Sequence, residues 1–228
     1  MCTVTFLPIG NNDFILTSNR DVPYSREKAL PPKEYVKDGV KLWYPKDGKA
    51  GGTWFGYSEH NRLICLLNGG FEYHTSRSYY RMSRGIVVKD LLLAGNFLSV
   101  VEEKNLVGVE PFTTVIVEWK SEIVLRQLVW DGREKHLVKL PLKPRIWSSA
   151  TLYDSEVRKM REEWFKNWQQ NNDFTPKDIL KFHKTAGIGD PFIDVMMDRK
   201  VGGTVSITSF ALLSGKIDTF YEGIITKT

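Results

Sequence analysis

Met1-Cys2-Thr3-Val4-Thr5-Phe6-Leu7, then Gly10-Asn11-Asn12-Asp13, then Phe14-Ile15-Leu16-Thr17-Ser18-Asn19-Arg20-Asp21, is the stretch from which the rest of the chain is read. Residues 3–7 and 14–18 are β-rich and flank a Gly/Asn/Asp cluster, the mark of a hairpin. Such a hairpin returns Arg20 and Asp21 to the start of the chain. Cys2 follows the initiator directly and is small enough for Met1 to be trimmed, which leaves a thiol and a free α-amine on one residue. Thiol and amine then serve as nucleophile and general base. Arg20 favours the thiolate by lowering a thiol pKa that is ordinarily about 8.5. Asp21 holds the amine by accepting its hydrogen bonds. Outside that context, the same residues read as a small side chain at a strand start and a surface charge pair.

At 228 residues the chain fits one compact domain spanning 1–228. It is 12% aromatic, enough to fill a sizeable core or line an apolar pocket. The net charge of +5 is spread along the chain, densest at Arg77, Arg81 and Arg84 and in residues 158–166, where acids interleave. A nucleic-acid protein would concentrate such charge on one face, so that class is set aside. No run approaches the ~20 apolar residues of a transmembrane helix, so no integral membrane segment is expected. Residues 1–8 lack the basic and apolar regions of a secretory signal, which points to the cytoplasm, where thiols stay reduced. Two cysteines, Cys2 and Cys65, are too few for a disulfide framework.

Further along, Pro23, Pro31 and Pro32 make residues 22–37 a loop-like, extended edge passage. Residues 46–52 form another loop. Residues 53–57 and 62–67 make a second hairpin around Glu59-His60-Asn61, and Leu63-Ile64-Cys65-Leu66-Leu67 has the continuous apolar character of a strand buried on both faces. Ser83 caps a helix through Val87, Val88, Leu91 and Leu92 that ends near Gly95. Residues 112–119 and 122–130 form a third hairpin, and 145–149 a short strand. Tyr153-Asp154-Ser155 introduces a Trp-containing helix to about residue 170. Thr175-Pro176 starts another that ends near Thr185-Ala186-Gly187. Residues 203–213 and 216–222 close the chain as a hairpin. Hairpins with helices inserted after the second and third argue α+β with antiparallel sheets.

Three stretches then combine: Cys2 with Asn19-Arg20-Asp21, Gly51-Gly52-Thr53-Trp54-Phe55-Gly56, and Asn68-Gly69-Gly70. Together they resemble the NRDE family, which includes the transport-and-Golgi-organisation proteins and is itself similar to the N-terminal-nucleophile hydrolases. Ser83-Arg84-Gly85, Ser148-Ser149-Ala150-Thr151-Leu152 and Gly203-Thr204-Val205-Ser206 extend the resemblance nearly end to end. The resemblance implies a four-layer αββα sandwich of two antiparallel sheets, N-terminal-nucleophile hydrolase-like. It implies Cys2 as nucleophile with its own amine as base, Asp21 as the amine-positioning acid, Arg20 near the thiol and Asn68 at an oxyanion hole. Such an oxyanion donor accounts for ~3 kcal/mol of barrier reduction, although Asn68 reads equally well as a turn residue ahead of Gly69-Gly70. Substrate contacts are implied at Asn19, Trp54, Ser149 and Thr204. The chain departs from the family pattern at Val22, Ser149 and Val205, where an acid, an asparagine and an arginine are usual.

His60, His74, His136 and His183 are scattered without metal-ligand spacing, so neither a metal nor a cofactor is expected. Gly51-Gly52-Thr53 lacks the Lys-Ser/Thr of a phosphate loop and reads as a turn or a close backbone approach. Trp164 and Trp168, at i and i+4, read as a packing face. The expected activity is hydrolysis of a linear amide (a non-peptide C–N bond) or a related acyl transfer on a small-molecule substrate. The alternative is a non-enzymatic member that handles an apolar ligand such as haem or lipid, or one that has lost its chemistry.

Overall fold

The computed structural model describes residues 3–224. The chain runs β1 (Thr3–Ile9), β2 (Asp13–Pro23), β3 (Leu30–Lys37), β4 (Val40–Lys46), β5 (Phe55–Ser58) and β6 (Arg62–Asn68). Helices α1 (Arg84–Leu93) and α2 (Phe97–Glu103) follow, then β7 (Phe112–Trp119), β8 (Ile123–Trp130), β9 (Lys135–Leu140) and β10 (Arg145–Ser148). Helices α3 (Ser155–Asn171) and α4 (Pro176–Thr185) precede β11 (Gly202–Leu213) and β12 (Lys216–Gly223). These elements form two compact units, one made of Met1–Arg26 with Leu142–Thr228 and the other of Glu27–Pro141.

The unit built from both chain ends holds a five-stranded antiparallel sheet in the order β10-β1-β2-β11-β12. Strand alternation gives the sheet two chemically different faces. Leu7, Ile15, Ile146 and Ala211 meet Phe165, Ile179 and Phe182 of the helices, with Val195 beside them. Trp164 and Trp168 pack against this cluster, as their spacing predicts. On the opposite face Phe14 lies 5.8 Å from Phe6 and 5.5 Å from Phe210, ring to ring. A buried Phe or Leu side chain contributes ~1.5–3 kcal/mol, so each member of these two clusters is a substantial stabilising contact.

Helix α4 begins where Thr175-Pro176 says it should. The Thr175 side chain accepts from the Asp178 N–H at 3.2 Å, and the proline occupies the first turn, where no intrahelical N–H is needed. Thr175→Ala is expected to cost about 1 kcal/mol in a urea-unfolding titration. An unchanged midpoint would mean that Pro176 alone sets the helix start.

The 27–141 unit is an antiparallel meander, β3 to β9 in chain order. The proline-containing passage around residues 31–32 is a strand after all. β3 sits at the sheet edge, where proline's missing donor costs nothing, and turns into β4 through Asp38-Gly39, both at positive φ. Helix α1, capped by Ser83 as expected, packs on β4, β5 and β6. Its far end is tied down by buried Arg62, which donates to the carbonyls of Leu91 (2.8 Å) and Ala94 (2.6 Å) and pairs with Glu118. At its near end Gly85 meets Gly52 backbone to backbone, with the Thr53 N–H donating to the Gly85 carbonyl at 3.2 Å. That contact explains both glycine motifs, as the close approach read from the sequence. No helix among the described residues is long and apolar enough to cross a membrane.

Candidate active site

Thr3, the first described residue of β1, lies opposite Asn19 of β2 on one side and Ser148 of β10 on the other. The predicted residues Asn19, Arg20, Asp21, Ser149 and Thr204 therefore gather at this end of the five-stranded sheet. Cys2 itself lies outside the described residues.

Asp21 is buried and held at both oxygens. Thr204 Oγ1 donates to Oδ1 at 2.6 Å, and Tyr153 Oη donates to Oδ2 at 3.3 Å. The Thr204 hydroxyl also accepts from the Met197 N–H at 3.1 Å, so its proton is directed at the carboxylate. A local irregularity makes this possible. Between Thr204 and Ser206 the pairing of β11 with β2 slips by one residue, leaving Val205 as the extra residue of a bulge. A bulge re-aims the side chains beyond it. Without it, Thr204 would share the face of Ser206 and miss Asp21. Val205, which departs from the family pattern, is thus a bulge residue.

Asn19 occupies the same face and is fully buried. Its Nδ2 donates to the carbonyls of His183 (3.1 Å) and Val195 (2.9 Å), which orients Oδ1 towards His183 Nδ1 at 2.8 Å. With both amide hydrogens committed, Oδ1 must accept, so His183 carries its proton on Nδ1. Its Nε2 then accepts from Thr5 Oγ1 at 2.8 Å. Burial first, and the guanidinium of Arg161 second, push the His183 pKa down to about 3, so the ring is neutral. Asn19 is in this way a brace between β2, α4 and the segment after it, rather than a group presented to a ligand.

Arg161, on α3, is buried beside it. It donates to Thr3 Oγ1 (2.6 Å) and to the carbonyls of Ile193 (3.0 Å) and Asp194 (2.5 Å), and its guanidinium lies 3.7 Å from the centre of the Tyr153 ring. Arg199 covers the same ring at 5.1 Å. Ser149, just beyond β10, is buried with its hydroxyl 3.0 Å from that of Thr151. Arg20 is buried too, but strand alternation turns it to the other face, with Ser18 and Leu16. Tyr153, Arg161 and His183 are not among the candidate site residues read from the sequence, where His183 counts only against a metal site and Tyr153 only as a helix start. Only Tyr153 had a local cue, its place directly after the Ser149-Ala150-Thr151-Leu152 stretch.

Asn68 and Trp54 belong to the 27–141 unit. Asn68 ends β6 opposite Phe112, half-buried, and Gly69 follows at φ +88° with its N–H on the Pro111 carbonyl. Trp54 is buried just before β5, its carbonyl accepting from the Leu66 N–H at 2.8 Å. Cys65 is buried within β6. Among the described residues, no three His, Cys, Asp or Glu side chains converge as a metal site.

The family model described as Transport and Golgi organisation 2 matches residues 1–200. The chain belongs to this family. The resemblance drawn from the ordered motifs is therefore the right one, and the matched range takes in the Asn19-Arg20-Asp21 stretch just described. No curated protein matches the sequence. Among solved structures, this family member is similar to a Caenorhabditis elegans N-acylethanolamine-hydrolyzing acid amidase ortholog. That likeness has 13% identity, covers 91% of this chain and 92% of the other, and has a TM-score of 0.61. It is also similar to a variant of conjugated bile acid hydrolase from Clostridium perfringens, with 10% identity, 96% and 92% coverage and a TM-score of 0.50. At such identities the likeness is one of fold. The fold is the expected one: α+β, two antiparallel sheets with four helices, N-terminal-nucleophile hydrolase-like.

Proposed function

We propose that this Transport and Golgi organisation 2 family member is an N-terminal cysteine hydrolase of linear amides, or a related acyl transferase, with Cys2 as nucleophile once Met1 is removed. The observation that carries this reading is Asp21. A buried carboxylate is fixed at both oxygens by hydroxyl donors beside the start of β1, one residue from Cys2 in the sequence. A carboxylate in that place suits an α-ammonium group, for which it supplies the acceptors. The amide-hydrolysing names of the structural neighbours point the same way.

In the proposed reaction, Cys2 Sγ bonds to the amide carbonyl carbon after its proton passes to the α-amine. The amine returns that proton to the leaving nitrogen as the C–N bond breaks. Water then attacks the thioester, the amine takes its proton, and the acid departs as the thiol is restored. Arg20 favours the thiolate. Ser149 and Thr204 remain the substrate-side candidates of this unit, Thr204 with its hydroxyl already engaged by Asp21.

The intact mass of untagged protein from its native host is the deciding measurement. Loss of one methionine is expected, followed by turnover of N-acylethanolamines, conjugated bile acids or other acyl amides that Cys2→Ala abolishes. Retention of Met1 would overturn the proposal in favour of a protein that binds an apolar ligand without chemistry. Turnover that survives Cys2→Ala would overturn it as well.

A further inference from the structure

The carboxylate that holds the amine in the proposed reaction is itself shared. Thr204 takes one oxygen at 2.6 Å with its proton direction set by Met197, and Tyr153 takes the other at 3.3 Å. Tyr153 Oη also lies 3.3 Å from Met197 Sδ, but a hydroxyl has one proton and the carboxylate is the stronger acceptor. Two guanidinium groups approach the Tyr153 ring, Arg161 at 3.7 Å and Arg199 at 5.1 Å. Cations this close to the ring draw electron density from it and make its hydroxyl a better donor. Both cations are anchored. Arg199 donates to the carbonyls of Phe192 and Leu152, and Arg161 to Ile193, Asp194 and the side chain of Thr3. Arg161 thereby ties the Tyr153 ring to the residue that follows Cys2.

We infer that Thr204 and Tyr153 are positioning residues that divide the lone pairs of Asp21 and so set how tightly it binds the protonated α-amine of Cys2. This rests on the proposed role of Cys2 and Asp21 and goes one step past it. An amine that works as a base must first give up its proton. A carboxylate with all its lone pairs free would grip the ammonium harder and keep it protonated to higher pH. Two hydroxyl donors occupy part of that capacity, leaving a grip that orients the amine without locking its charge. Thr204, at the shorter distance, carries the larger share.

The test reads the amine directly. Protein with a verified Cys2 N-terminus is labelled with 15N-cysteine and titrated by 15N NMR. The amine nitrogen of Cys2 and the amide nitrogen of Cys65 resonate far apart. Asp21→Asn is expected to lower the amine's titration midpoint. Thr204→Val is expected to raise it by about one pH unit, a tenfold change in proton affinity, and Tyr153→Phe by about half a unit, roughly threefold. Thr204→Ser, which keeps the hydroxyl, should titrate like the wild type, and in the Asp21→Asn background Tyr153→Phe should have no effect. The acid limb of the hydrolysis pH profile should move with the midpoint. If Asp21→Asn shifts the midpoint but Thr204→Val and Tyr153→Phe do not, the sharing of the carboxylate is wrong and the role of Asp21 stands. If Asp21→Asn leaves the midpoint unmoved, both readings fall.

Discussion

Gly85→Ala is expected to destabilise the 27–141 unit by roughly 3 kcal/mol, a large fraction of a typical domain's stability. A Cβ at position 85 would lie 2.8 Å from both the N and the O of Thr53, and one at Gly52 would lie 2.6 Å from the carbonyl carbon of Gly85. These are backbone atoms, so no rotamer change can make room. The helix start must move away from the loop, breaking the hydrogen bond from the Thr53 N–H to the Gly85 carbonyl. Gly52→Ala should fail in the same way, because the two glycines face each other across one contact. Gly95→Ala is the control, since nothing lies within 4 Å of a Cβ there. Urea unfolding of the three variants checks this, and a Gly85→Ala midpoint equal to that of Gly95→Ala would refute the steric argument.

The second large effect is a loss of stability in acid that traces to His183. Its folded-state pKa of about 3 lies below the ordinary 6.5 because burial excludes the charged form and Arg161 repels it. Between those two values the unfolded chain binds a proton that the folded chain refuses, so stability rises with pH across that window. Above pH 6.5 the contribution is complete. It drains away as pH falls and is gone by about pH 3, a total of about 4–5 kcal/mol for a fully buried ring. The same protonation would remove the acceptor for Thr5 Oγ1. Urea midpoints at pH 4, 5, 6 and 7 should therefore fall steeply for the wild type and less steeply for His183→Gln. Parallel slopes for the two proteins would show that other groups set the acid sensitivity.

Local chemistry made much of the fold legible. The Gly10-Asn11-Asn12-Asp13 turn, the Ser83 cap and the Thr175-Pro176 start each combine a conformational signal with its partner a few residues away, and each appears where it was read. The β3–β4 hairpin was missed because Pro31-Pro32 outweighed the Asp38-Gly39 turn that announces it. β9 was missed because its half-exposed edge pattern differs little from a loop. The site divides along the same line. Asp21 stands out in the sequence through its neighbours, whereas its hydroxyl partners come from residues 132 and 183 positions further on. Nothing in a Gly-Thr-Val-Ser run reveals that one residue is looped out and that Thr204 consequently changes face. A buried Arg161 likewise looks, in sequence, like any charge on an amphipathic helix.

The unit that carries Asp21 is assembled from the first and last parts of the chain, with Glu27–Pro141 made in between. On the ribosome, β1 and β2 therefore emerge long before β10 and β11, the strands that flank them in the finished sheet. At ordinary elongation speeds the wait lasts on the order of ten seconds. Throughout that interval the outer edges of the first hairpin lack the strands that will cover them. One edge is covered only when β10 pairs with Thr3 and Arg161 reaches that residue from α3. The split arrangement thus fixes an order of assembly: the first hairpin is made early, and the sheet that carries Asp21 is completed last.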